Sequence, residues 1–153
     1  MSELFDKSIR TLELPRVLQL LSEQAVSPEA KELALAVRPE TDYEDVLRLL
    51  DQTDGARAMI VLRGAPGFSG VKPVKDLLDR ADRGGSLNIP ELIRIGDLLY
   101  AVRRAKEYFN ADNMESTALD SLFLSLHGNR FLEDKIRRCI PDENTVADAA
   151  SPE

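Results

Sequence analysis

The chain has no Trp, a single Cys (Cys139), a single His (His127) and 5% aromatic residues. A lone Cys cannot close an internal disulfide, so the disulfide-stapled secreted scaffolds are excluded. One His and one Cys cannot supply the His/Cys cluster of a zinc site. With so few rings the core must be built from Leu, Ile, Val and Ala, and no row of aromatics is at hand to stack the bases of a single strand. No run approaches the roughly 18 consecutive apolar residues of a membrane helix. The N-terminal MSELFDKSIR carries charges throughout and lacks the apolar stretch of a signal peptide. A cytoplasmic protein without membrane attachment is expected.

What is present suits a globular chain: 153 residues, 43% hydrophobic and 31% charged, enough for one domain with a single core. The net charge of −7 argues against tight autonomous binding to nucleic acid. That charge is uneven. Residues 1–62 are net −5, residues 63–107 net +3 and residues 108–153 net −5. The middle third alone is mildly basic, so its cations, Lys72, Lys75, Arg80, Arg83, Arg103, Arg104 and Lys106, are the candidate contacts to a nucleic-acid backbone. A solvated helix face explains them equally. The groups around Arg103 and around Arg137 also sit near expected helix C-termini, where the dipole favours cations.

Helix grammar runs through the chain. Thr11–Leu14 reads as a short extended entry, followed by a helix with Pro15 in its first turn. Ser27-Pro28-Glu29 is a cap, a first-turn Pro and a first-turn acid. That helix stops at Arg38-Pro39, because the residue before Pro avoids the α region. Thr41-Asp42-Tyr43-Glu44 matches a capping box with Thr41 as cap, opening a long helix to Leu62 whose apolar face is interrupted near Thr53-Asp54. Val74–Ala81 is a short helix ended by Gly84-Gly85. Asn88-Ile89-Pro90-Glu91 caps the strongest 3.6-residue pattern in the chain, which runs to Phe109. Leu119–Leu126 and Phe131–Ile140 follow, with His127 placed as a cation at a helix end and Cys139 as a buried small hydrophobe. No hairpin signal is present. The expected fold class is all-α, a multi-helix bundle with a Gly/Pro-rich connector.

That connector, LRGAPGFSGVKPVKDLLDRADRGGSL (Leu62–Leu87), fails as a phosphate cradle. Gly64 and Gly70 are one residue too far apart for a P-loop, and Lys72 is followed by Pro73. Gly64, Gly67 and Gly70 are evenly spaced at three with no strand before them, so the dinucleotide fingerprint fails as well. Gly64, Pro66, Gly67, Gly70, Gly84 and Gly85 are therefore structural connector residues, needed for positive φ and close approach. Ser, His and Asp are present without a G-x-S-x-G elbow. Asp112, flanked by Asn110 and Asn113, lacks the spacing of a calcium loop. No catalytic, cofactor-binding or metal-binding residue is assigned. Finally, Ala150-Ser151-Pro152-Glu153 repeats the earlier helix-start grammar, which suggests a piece of something longer. Residues 1–150 would then be the helical domain and 151–153 the beginning of a following lever helix.

With those residues read, the chain resembles the N-terminal region of the bacterial MutS-two family, the endonuclease-type MutS branch. The likeness lies in TLELPRVLQLLSEQAVSPEAKELALAVRP (Thr11–Pro39), the Thr41–Glu44 box, LRGAPGFSGVKPVKDLLDRADRGGSLNIPEL, and the closing PDENTVADAASPE, in that order. Pro15, Gly67–Gly70 and Asn144-Thr145 depart from the pattern. The resemblance implies a parent with lever helices and a clamp, an ATPase using ATP and Mg, and a C-terminal Smr nuclease domain. The present region would be a non-catalytic core needing no cofactor. It further implies a homodimer that binds branched or double-stranded DNA and suppresses homologous recombination, some members acting on collided ribosomes. A dimerisation or protein-interaction module, and a backbone-contacting module using residues 72–106, stay open beside it.

Overall fold

The computed structural model describes residues 3–68, 70–110, 116–143, 145 and 147. Eight helices and no strand occur among them, so the fold class is all-α. The chain divides into two compact units, Met1–Glu40 and Thr41–Glu153. Residues 151–153, read above as the start of a lever helix, lie outside the described residues, as do Ala111–Glu115 and Asn144.

The first unit holds α1 (Glu3–Thr11), α2 (Leu14–Gln24) and α3 (Pro28–Ala36). The expected extended entry at Thr11–Leu14 is instead the end of one helix and the start of another. The Thr11 hydroxyl donates to the Lys7 carbonyl at 3.0 Å, and the Leu12 N–H to Ser8 at 2.9 Å, as a helical turn requires. The reversal is made at Glu13, which takes a left-handed conformation (φ 55°), a region L-residues enter at a cost of about 1–2 kcal/mol. β-branched Thr beside two Leu looks strand-like in isolation, but the helical ladder upstream carries Thr11 along. Pro15 sits in the first turn of α2, where its missing N–H has no partner to lose. Ser27 caps α3 by accepting from the Ala30 N–H at 3.1 Å. Leu18 and Ser22 of α2 and Ala34 of α3 are buried.

The second unit holds α4 (Tyr43–Arg63), α5 (Lys75–Asp82), α6 (Ile89–Phe109), α7 (Asp120–Leu124) and α8 (Arg130–Cys139). The cap of α4 is Asp42, one residue after the Thr41 read from the sequence. Its carboxylate accepts from the Glu44 and Asp45 N–H groups at 3.0 and 3.1 Å. A charged acceptor holds two amides and complements the dipole, which a hydroxyl does less well. The box at Asn88 is as read: Asn88 accepts from the Glu91 N–H at 3.0 Å and Glu91 accepts from the Asn88 N–H at 2.8 Å.

The dominant packing of this unit is α6 on α8. Ile95, Gly96 and Ala105 are the buried residues of α6, and Glu133 and Ile136 those of α8. Gly96 permits the approach, since a Cβ there would lie 3.1 Å from Ile136 Cγ2. Near the interruption foreseen at Thr53-Asp54, Gly55 of α4 faces Leu119, where an added Cβ would stand in ordinary contact at 3.7 Å. Phe109 and Phe123 stack with centroids 4.8 Å apart, joining the end of α6 to α7. Cys139 is half-buried instead of fully buried. His127 lies between α7 and α8, its Nδ1 2.7 Å from the Ser125 carbonyl.

Candidate functional site

The connector and the middle-third cations are the two candidates; α6 carries Arg103, Arg104 and Lys106, and through Tyr108 and Glu91 it ties down Gly64 and Arg80. Gly64 closes α4 with φ 75°, its N–H donating to the Ile60 carbonyl at 2.8 Å. Its own carbonyl accepts from the Tyr108 hydroxyl at 2.9 Å. Arg63 donates to the Tyr108 and Phe109 carbonyls at 2.6 and 3.1 Å. A cation there neutralises the negative end of α6 and ties α4 to it. Beyond this clamp Pro66 and Phe68 lie over an apolar cavity of about 340 Å³, walled by Met59 and Ile60 of α4 and Leu122 and Phe123 of α7. Gly70 and Gly84 also have positive φ, 86° and 82°. Gly85 is the close approach: a Cβ there would meet the Arg80 backbone oxygen at 2.9 Å. Gly67 shows neither feature.

The seven cations do not share one environment. Arg103 faces the buried Glu133 with a two-pronged bond, Nε to Oε2 and Nη2 to Oε1 both at 3.1 Å, and reaches Glu107 at 2.7 Å. Its guanidinium lies 4.9 Å from the Tyr100 ring, with Arg137 of α8 4.3 Å from the same ring. Hydrogen bonding from Arg103, opposed by burial, holds the Glu133 carboxyl below its ordinary range, and Glu133 with Glu107 holds the Arg103 guanidinium above its own. This is a bracket between α6 and α8. Arg103 stands well short of the last turn of α6, so the helix-dipole account applies to Lys106, Arg137 and Arg138 but not to it.

Arg80 is hydrogen-bonded to Glu91, which joins α5 to the start of α6 and, with the Asn88 N–H, lowers the Glu91 carboxyl. Arg104 pairs with Glu107 at 3.6 Å, and Lys106 donates to the Leu126 carbonyl at 3.2 Å. Arg103 and Lys106 share one cavity of about 510 Å³ with Arg130 and the partly neutralising Glu107 and Glu133. Lys72, Lys75 and Arg83 make no ion pair with the described residues. Among the described residues no group of three or more His, Cys, Asp or Glu could hold a metal.

Glu133, Tyr100 and Arg137 were missed as a set by the sequence reading. The i, i+4 spacing of Glu133–Arg137 and Arg103–Glu107 is visible in the chain, but the cross-helix partner is not.

No protein-family model matches the chain. Curated relatives do. It is 37% identical over 149 residues to the "Endonuclease MutS2" of Ruminiclostridium cellulolyticum, 35% over 150 residues to that of Acetivibrio thermocellus, and 36% over 149 residues to that of Agathobacter rectalis. In each case 96% of this chain is covered. The chain belongs to the N-terminal region of the MutS2 family. It spans about 19% of the length of those relatives, so MutS2 proteins carry most of their sequence outside the part present here. The connector and the α6–α8 bracket are thus features of a MutS-like helical module. No described helix is long and apolar enough to cross a membrane.

Proposed function

We propose that this chain is a non-catalytic helical core module of a MutS-like, DNA-binding ATPase and endonuclease. The observation that carries it is the match along 96% of this chain to MutS2 proteins of which it is 19%. The geometry supports it, since Arg63, Arg80 and Arg103, cations of the candidate stretch, are engaged in ties from one helix to another. On this reading ATP, Mg and the nuclease centre belong to other parts of the parent. The parent is a cytoplasmic homodimer acting on branched or double-stranded DNA to suppress homologous recombination, with the collided ribosome as a further target. The core's partner is then the remainder of its own chain.

The surface supports that partner. Val61, Leu62, Leu124 and Phe131 are each more than two-thirds exposed, and exposed apolar residues in such number mark contact surfaces. A second reading has its own observation: the candidate cations Lys72, Lys75 and Arg83 make no ion pair with a described carboxylate, which leaves them to a phosphate backbone.

The test is an assay of the 153-residue chain with branched and linear duplex DNA, Mg and ATP, at low and physiological salt, beside its mass in solution. The expected result is neither ATP hydrolysis nor strand cleavage, and no binding at physiological salt. Turnover would overturn the proposal. Binding that falls steeply with salt, and is lost in a K72Q/K75Q/R83Q variant, would replace it with the second reading.

A further inference from the structure

A cavity of about 470 Å³ lies within the first unit, between α1, α2 and the C-terminal end of α3, lined by Ile9, Leu18 and Leu35 with Arg10, Arg38 and Gln19. The hydrocarbon side of this wall is anchored by Leu18, which is buried. The polar side of the lining is Arg10, Arg38 and Gln19. Arg38 donates to the Val37 carbonyl at 2.8 Å, which steadies its head beside the cavity. Neither Arg10 nor Arg38 forms an ion pair with a described carboxylate.

Both arginines stand near helix C-termini, Arg10 in the last turn of α1 and Arg38 two residues beyond α3. The dipole explains why positive charge is tolerated there. It does not explain why two such charges share one cavity with a leucine-lined wall. A volume of this size and a small number of polar groups on an apolar wall are the usual properties of a small-ligand site.

We infer that this cavity binds an organic carboxylate with an apolar body, the acid group held by Arg10 and Arg38 and the hydrocarbon laid on Leu18 and Leu35. Arginine suits the task because its planar fork matches a carboxylate in a two-pronged geometry. A nucleic-acid backbone fits less well. Phosphodiesters are strongly hydrated and gain nothing from a leucine wall, none of the described lining residues is an aromatic that could stack a base, and residues 1–40 are net −2. The same chemistry has two sources, a free aliphatic acid or an acidic side chain of a peptide set beside a leucine.

The test is a titration of the isotope-labelled 153-residue chain, followed by the methyl signals of Ile9, Leu18 and Leu35. The probes are octanoate and the peptide acetyl-Leu-Glu-Leu-amide, with octanol and inorganic phosphate as comparisons. Saturable shifts confined to these residues are expected for octanoate, for the peptide, or for both, and which of them binds identifies the source. R10Q and R38Q should each weaken binding about tenfold, with R38K retaining most of it and the spectra of all three confirming an unchanged fold. The inference is overturned if neither carboxylate shifts the methyls, if octanol binds as well as octanoate, if phosphate alone gives the same shifts at the same concentration, or if both Gln variants bind like the parent.

Discussion

Replacing Glu133 by Gln removes one charge from the α6–α8 bracket and leaves its shape. The Glu133 side chain is 3% exposed and faces Arg103 through two hydrogen bonds, with Arg137 at 3.8 Å. Breaking a fully buried ion pair costs about 3–5 kcal/mol. Here the Arg103 side chain is 30% exposed, so its freed guanidinium regains water and Glu107 remains its partner. The loss should therefore fall below that range, at about 2–3 kcal/mol for Glu133. In a chain of this length that lowers the melting midpoint by roughly 6–10 °C. The pH dependence fixes the cause. The folded-state carboxyl titrates below its ordinary 4.5, so its contribution is complete above that value and is lost as pH falls through the folded-state value. Thermal melts by far-ultraviolet circular dichroism should show the full gap between parent and E133Q at neutral pH, closing on acidification as the parent's own carboxyl becomes neutral. Equal midpoints at neutral pH would refute the bracket. A gap that stays constant through the acid range would refute its electrostatic origin.

Three further outcomes concern the glycines. Gly84→Ala places a side chain at φ 82° with open space around it, so its cost is conformational, about 1–2 kcal/mol in denaturant unfolding. Gly67→Ala, at an ordinary φ and also in open space, should stay within about 0.5 kcal/mol. Gly96→Ala drives a methyl to 3.1 Å from Ile136 Cγ2 in a packed helix crossing. It should destabilise the chain by about 1–3 kcal/mol, read by the same unfolding experiment, and unchanged stability would mean that the α6–α8 contact is looser than described.

Local grammar decided a good deal of this protein. Ser27, Asn88 and Glu91 announce their helices because a cap acts on amides two or three residues away, within reach of the sequence itself. The apolar period from Leu92 to Phe109 likewise needs no partner to be read. The order of short motifs along the chain identified the family, which agrees with relatives 35–37% identical to it. The sequence was ambiguous where two local solutions compete, as at Thr41 against Asp42, and where an upstream ladder overrides a strand-like tetrapeptide at Thr11–Leu14.

Tertiary structure decided what the charges do. Arg103 reads as one more cation in a basic stretch, and its meaning comes from Glu133, thirty residues away and on another helix. The same holds for Arg63 at the end of α6 and for Arg10 with Arg38, brought to one cavity from opposite sides of α2 in the sequence. A cap or an amphipathic face is fixed by separations of three or four residues. An ion pair, a close glycine crossing or a shared cavity depends on which helix the chain lays beside which, and that is set by packing the whole unit.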